Sequence, residues 1–206
     1  MDSETKDGAR RVSIPAGGVE LAGEFTRVRA ARGLVVLVCA SSDKARRSAE
    51  RSLAEQLHAS RISTLRIDLI TEEEAAMDLL PAQIGRDADL LAQRLRVVHR
   101  WAEKQRASEG LALGYYGSGA AGCAALRLAS KQQPGIDALV ICEVKSDLDD
   151  SRGRDSRVRS APRSAPTEPD PELLCDLFRN WLWWENNAPM RAPRARVAQD
   201  RPSAAP

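Results

Sequence analysis

The chain has 206 residues, of which 43% are hydrophobic and 29% charged, so it can build a core and is not wholly disordered. The formal net charge of +2 is too small for strong electrostatic capture of nucleic acid, and no specific nucleic-acid partner is expected. No apolar run is long enough for a transmembrane segment. The polar N-terminus, MDSETKDGARR, does not have the pattern of a secretory signal.

Cysteine usage indicates a reducing compartment. Cys39, Cys123, Cys142 and Cys175 are scattered, and most of them lie in apolar runs. This pattern is typical of buried packing thiols in a cytoplasmic protein. No CxxC motif or clustered Cys/His pair occurs, so neither a metal nor another cofactor is expected.

Composition divides the chain into three parts. We expect a disordered N-terminus over 1–9, a folded domain over 10–150 and a largely disordered tail over 151–206. The tail holds ten arginines, no lysine and eight of the eleven prolines, and cannot bury enough apolar surface over 151–169 and 186–206 to fold. Its composition also resembles an out-of-frame reading of GC-rich DNA, and the sequence leaves open whether the tail is native.

One segment of the tail has the pattern of a helix, at about 171–185. Leu174, Phe178 and Leu182 form an apolar stripe at helical spacing, and three of the four tryptophans lie in this segment. The main prediction is a terminal helix that packs on the sheet. The alternative is a helix that binds a partner or a membrane surface.

In chain order, the domain begins with a hairpin, since apolar strands at 11–14 and 19–28 flank the turn Pro15-Ala-Gly-Gly18. Strand and helix patterns then alternate. Strands are predicted at 34–38, 64–68, 111–116 and 138–143, and helices at 48–58, 90–101 and 120–130. The fold class is therefore α/β, with a mostly parallel sheet that has helices on both faces and ends at the strand over 138–143.

In an open α/β sheet, the functional site lies at the carboxyl ends of the strands. Two such ends carry informative residues, namely the turn Cys39-Ala-Ser-Ser-Asp43 and the small-residue turn Gly114-Tyr-Tyr-Gly-Ser-Gly-Ala-Ala-Gly122. The candidate ligand pocket consists of six residues from these turns: Ala40, Ser41, Ser42, Ser118, Gly119 and Ala120.

Over about residues 10–146 the chain resembles an α/β-hydrolase of the dienelactone-hydrolase-like group. The resemblance rests on the segments VSIPAGGVELAGEF, GLVVLV, STLRIDLITEEEAA and GYYGSGAAGCAAL. It implies an α/β-hydrolase sheet with an N-terminal hairpin, and a cytoplasmic serine hydrolase of esters or lactones as the ancestral activity.

The departures from this family pattern fall on its catalytic positions. The family's elbow reads G-x-S-x-G, or has cysteine in place of the serine, with this nucleophile at the centre. Here Gly117 matches the first glycine, Gly119 stands at the nucleophile and Ala121 stands at the last glycine. Ala40 and Ser41 stand where the oxyanion loop usually reads His-Gly. No histidine follows His99, so a Ser-His-Asp mechanism lacks its base, and we expect no catalytic residue.

Several functions stay open beside an inactive hydrolase. A pseudoenzyme would bind a small ester or carbonyl compound in the pocket, or a partner through the helix at 171–185. An active hydrolase would use Ser118 as a displaced nucleophile. A nucleotide-binding protein would use Gly117, Gly119 and Gly122 as a G-x-G-x-x-G turn, with Glu143 at the end of the next strand.

The remaining polar residues are expected to be structural. His58 and His99 are predicted on a helix surface or at the edge of the core. Asp68 ends a strand and is expected to cap the following loop, although it could line the crevice. The run Glu72–Glu74 is predicted to be a solvated helix start, where carboxylates favour the positive end of the helix dipole.

Overall fold

A computed structural model describes residues 8–40, 44–77, 87–107, 110–130, 135–142 and 158–160. Seven strands and four helices lie in these ranges. The strands are β1 (Gly8–Ala16), β2 (Val19–Arg27), β3 (Gly33–Cys39), β4 (Ile62–Asp68), β5 (Ala112–Ser118), β6 (Ala138–Cys142) and β7 (Val158–Ser160). The helices are α1 (Lys44–Ala59), α2 (Glu72–Met77), α3 (Ala88–Ala107) and α4 (Gly119–Ser130).

The seven strands form one mixed sheet in the order β1-β2-β4-β3-β5-β6-β7. The five strands β4, β3, β5, β6 and β7 pair in parallel. The other two, β1 and β2, form an antiparallel hairpin, and β2 also pairs antiparallel with β4. The hairpin turn has φ +64° at Gly17 and +89° at Gly18, which glycine adopts without a Cβ penalty.

Helices cover both faces of the parallel strands. All seven residues of β3 are buried, as expected for a strand that lies between helical layers. On one face, α3 and α4 pack through Leu91, Leu95 and Val98 and through Ala124 and Leu128. On the other face, α1 packs through Leu53, Ala54 and Leu57. The predicted α/β fold with helices on both faces is confirmed.

The loop after β4 is fixed by a helix cap and a charge pair. Thr71 and Glu74 form a reciprocal capping box, because each backbone N–H donates to the other side chain, at 3.0 and 3.2 Å. Arg94 of α3 is buried and donates to the Leu69 carbonyl and to Glu74, each at 2.7 Å. The helix start at 72–74 is confirmed, but Glu74 is part-buried and paired rather than simply solvated.

Several boundaries differ from the sequence-based expectation. Helix α1 begins at Lys44 rather than at 48, and α3 covers Ala88–Ala107 rather than 90–101. β1 begins at Gly8, inside the N-terminal stretch over 1–9 that was expected to be disordered. The sheet also continues beyond β6, because β7 pairs in parallel with β6 over three residues. A single β-branched residue in an arginine- and serine-rich stretch is too weak a signal to predict such a short strand. The rest of the predicted tail, including the helix at 171–185, lies outside the described residues.

Within the ranges given above, none of the helices combines the length and the apolar character that a membrane crossing requires.

Candidate functional site

The carboxyl ends of β3, β4 and β5 lie side by side at one edge of the sheet. The pairing register places Cys39 opposite Asp68 and Val38 opposite Gly117. Side chains alternate between the two faces of a strand. Cys39 and Ser118 therefore project to the same face as Leu37 and Tyr116, which is the face covered by α1.

The turn between β5 and α4 depends on two glycines. Gly119 has φ +56°, a conformation that favours glycine, and it begins α4 directly after the last strand residue. A Cβ on Gly117 would lie 2.9 Å from backbone atoms of Ala121 and Gly122. Gly117 therefore allows the helix to approach the strand closely. This sharp strand-to-helix turn has the positive φ that a nucleophile elbow requires, and Gly119 has no side chain.

An arginine lies over this apex. Nη1 of Arg46 in α1 donates to Oγ of Ser118 at 2.8 Å. A Cβ built on Gly119 would lie 3.5 Å from the same Nη1 atom. The guanidinium of Arg46 is therefore next to the space that a nucleophile side chain on Gly119 would enter.

A buried thiol and a buried carboxyl group meet at the end of β3. The thiol of Cys39 donates to Oε2 of Glu50 in α1, and both residues are at most 5% exposed. Burial raises the pKa of the Glu50 carboxyl, although the bond from Cys39 and the nearby Arg66 oppose this shift. Burial, with the charge of Glu50, raises the pKa of Cys39 well above its ordinary value. The thiol is therefore held in its protonated, unreactive form.

Asp68 at the end of β4 also contacts α1. Its carboxylate forms an ion pair with Arg47 at 3.4 Å. Burial raises the pKa of Asp68, and the positive charges of Arg47 and Arg66 act in the opposite direction. Asp68 thus contributes to the same polar layer as Cys39 and Ser118.

Neither histidine belongs to this layer. Nε2 of His58 lies 2.8 Å from Oγ1 of Thr64, which is four residues, or about 13 Å of strand, before Asp68. Nδ1 of His99 lies 2.8 Å from the Tyr115 hydroxyl, and Tyr115 faces α3 rather than α1. His99 is 1% exposed and so lies deeper than the edge of the core.

Four of the six predicted pocket residues are described. Ala40 and Ala120 are half-buried and pack against the apolar cluster on the α3 side, and Ser118 and Gly119 lie beneath Arg46. Ser41 and Ser42 lie outside the described residues. Glu143, the acid that the nucleotide-binding hypothesis requires, also lies outside the described residues. The close packing of Gly117 against α4 explains that glycine without a nucleotide.

Sequence reasoning missed Arg46 and Glu50. A signal for Glu50 exists, because it precedes Leu53, Ala54 and Leu57 at helical spacing and thus lies on the buried stripe of α1. A glutamate on such a stripe requires a partner. Arg46 lies one turn before Glu50 and shares that side of the helix.

Cys39 and Cys123 are free thiols, and Cys123 is half-buried. In the part of the chain that the structure describes, no group of three or more His, Cys, Asp or Glu side chains is placed to hold a metal ion.

No protein-family model matches the chain. Proteins from two strains of Mycobacterium tuberculosis, both named as a phosphoribosyl transferase, are 34% identical to it over 137 residues. The match covers 66% of this chain but only 30% of each relative. The name of the longer proteins therefore does not identify the activity of the matched part.

Solved structures share the fold. A dienelactone hydrolase from Anabaena variabilis has a TM-score of 0.68 at 24% identity, with 86% of this chain and 97% of that chain covered. Est1E from Butyrivibrio proteoclasticus has a TM-score of 0.53 at 14% identity, with 79% and 59% covered. An α/β serine hydrolase without a lid, from Xanthomonas campestris, has a TM-score of 0.50 at 16% identity, with 65% and 60% covered. The chain therefore has the α/β-hydrolase fold, and the resemblance to dienelactone hydrolase that its sequence suggested is confirmed.

Proposed function

We propose that this chain is a degenerate α/β-hydrolase-fold protein that does not hydrolyse esters or lactones by a Ser-His-Asp mechanism. The observation that carries the proposal is the elbow apex. Gly119 has the positive φ of that turn but no side chain, and the guanidinium of Arg46 lies beside the position of its absent Cβ. A nucleophile is needed at this point for covalent catalysis, and Gly119 cannot supply one.

The adjacent serine does not replace it. Activation of a serine requires a base that accepts its proton. Among the described residues, the side chain hydrogen-bonded to Oγ of Ser118 is the guanidinium of Arg46, which only donates. His58 and His99 are engaged elsewhere, with Thr64 and Tyr115. These contacts support the absence of a Ser118-based mechanism.

The test is a pair of activity measurements on the full chain. We expect no turnover of short p-nitrophenyl esters above the buffer rate, and no covalent labelling by a fluorophosphonate probe. An active α/β-hydrolase with a serine nucleophile serves as the positive control, and Ser118→Ala is the matched variant. Stoichiometric labelling that disappears in Ser118→Ala would show that the chain is an active serine hydrolase after all.

A second candidate function is non-covalent binding of a small carbonyl compound at the elbow. Arg46 favours a ligand with a carboxylate, because a guanidinium pairs with carboxylate oxygens through two parallel hydrogen bonds. Calorimetric titration with small keto acids tests this, and Arg46→Gln should weaken any binding. Equal affinity for the matched uncharged ketones, or no effect of Arg46→Gln, would argue against it.

We retain the cytoplasm as the expected compartment. The free thiols of Cys39 and Cys123 support a reducing environment.

A further inference from the structure

Helix α1 contacts the ends of three adjacent strands through three polar pairs. Arg46 donates to Ser118 of β5, the Cys39 thiol of β3 donates to Glu50, and Arg47 pairs with Asp68 of β4. The three α1 residues lie within five positions, so the first turns of one helix hold all three contacts. These pairs form a polar layer across the edge of the sheet where the elbow lies.

The three contacts differ in their access to water. The side chains of Arg47 and Asp68 are 41% and 30% exposed, so solvent screens their attraction. The contact of Cys39 with Glu50 excludes water, because Glu50 is 4% and Cys39 5% exposed. The free energy of the contact between Cys39 and Glu50 therefore depends most strongly on whether Glu50 is charged.

The groups that face Glu50 come from three elements. They are Cys39 of β3, Arg66 and Asp68 of β4, and Arg46 of α1. A further set acts through these groups, namely Arg47 and Glu72 on Asp68 and Glu24 on Arg66. Positive and negative neighbours thus oppose each other, and burial determines the balance at Glu50.

We propose that α1 is a proton-sensitive latch over the elbow, closed when Glu50 carries a proton and loosened when Glu50 releases it to solvent. A neutral carboxyl group accepts the thiol hydrogen bond at little cost in the dry interface. An ionised carboxyl group is much more expensive to bury there. Loosening of α1 lets water reach Glu50, and it carries Arg46 away from Ser118 and the elbow.

The direction of the pH dependence follows from the linkage between proton binding by Glu50 and closure of α1. Burial raises the pKa of Glu50 above its ordinary value of 4.5, so the closed state binds the proton more tightly than the open state. The stability of the closed latch is fully present below the ordinary pKa and is lost as pH rises through the raised pKa. Between the two values, the opening constant increases by up to about tenfold per pH unit.

Alkylation of thiols in the wild-type chain measures this opening. Labelling by a small maleimide is followed by peptide mass spectrometry from pH 5.0 to 7.5, as the ratio of the Cys39 rate to the Cys123 rate. Both thiols have raised pKa values, so thiolate formation alone raises both rates equally in this range. Ionisation of Glu50 without opening would raise the pKa of Cys39 further and so lower the ratio. A ratio that rises with pH, which we expect, therefore reports the opening of α1. A constant ratio would overturn the proposal.

Two variants identify the group responsible. Glu50→Gln keeps an acceptor for the thiol but does not titrate, and it should give a ratio that is independent of pH. Glu55→Gln is the matched control, since Glu55 is an exposed glutamate on the same helix, and its ratio should rise as in the wild type. The same rise in Glu50→Gln as in the wild type would exclude Glu50 and with it the latch. Because the wild-type ratio alone can refute the proposal, a failure of Glu50→Gln to fold does not remove the test.

Discussion

The two faces of the sheet are built differently. Among the described residues, the cluster between the sheet and helices α3 and α4, with the hairpin, holds 26 buried apolar residues, whereas the cluster under α1 holds ten. The α1 face adds the polar layer of Arg46, Glu50 and Asp68 at the carboxyl ends of the strands. Apolar burial is independent of pH, and buried charge is not. The α3 and α4 face therefore supplies most of the apolar stabilisation, and the α1 face places titratable groups next to the elbow.

The largest effect is expected from Leu95→Ala on α3. Leu95 is fully buried, and its truncation should lower the free energy of unfolding by about 2–5 kcal/mol. Urea unfolding at pH 5.0 and pH 7.5 measures this loss, which should be the same at both values. Gln93→Ala, at an exposed position of the same helix, is the control and should change stability by less than about 0.5 kcal/mol. A loss for Leu95→Ala no larger than that of the control would contradict the assignment of stability to this face.

A smaller effect is expected from Arg94→Met, which removes the charged partner of Glu74. Hydrogen bonds to a charged group contribute about 1.5–3 kcal/mol, and Arg94→Met should lower the free energy of unfolding by this amount at neutral pH.

The pH dependence of this pair is opposite to that of the latch. The bond from Arg94 lowers the pKa of Glu74, so its stabilisation is present above the ordinary carboxyl pKa and is lost as pH falls through the lowered one. Urea unfolding between pH 3 and pH 7 should show wild type and Arg94→Met converging towards acid. Parallel stability curves would mean that Glu74 does not titrate against Arg94.

The smallest effect is expected from Gly117→Ala at the elbow. The added Cβ would lie 2.9 Å from the backbone of Ala121 and Gly122, so α4 has to shift from β5 at a cost of about 1–3 kcal/mol. Gly8→Ala is the matched control, because its Cβ meets no atom within 4 Å. Thermal unfolding followed by circular dichroism compares the two, and equal midpoints would show that the close approach of α4 is not required.

The predictability of the fold and of the site differs for a physical reason. The strand Leu34–Val38 and the stripe of Leu53 and Leu57 are periodic along the chain, and periodicity is visible in a sequence. The contacts of Cys39 with Glu50 and of Arg46 with Ser118 join residues 11 and 72 positions apart. Such pairs depend on how α1 crosses the sheet, and this crossing cannot be predicted from the local pattern of the sequence.

The position of Gly119 at the turn between a strand and a helix could be predicted, since small residues follow the apolar run of β5. The guanidinium of Arg46 above this turn could not be predicted. Arg46 precedes residue 48, where the apolar pattern predicts the helix to begin, and only the crossing of α1 over β3 and β5 brings it to Ser118.

The hairpin also determines how the sheet ends. Among the described strands β1 pairs with β2 only, so its outer backbone groups form an open edge that another chain could extend. Arg10 and Arg11 place positive charge along this edge, and Pro15 offers no amide hydrogen to an incoming strand. Arg10 is also held over the ring of Phe25 on the neighbouring strand, 5.2 Å from its centroid. These residues of β1 therefore disfavour pairing of this edge strand with the edge strand of another copy.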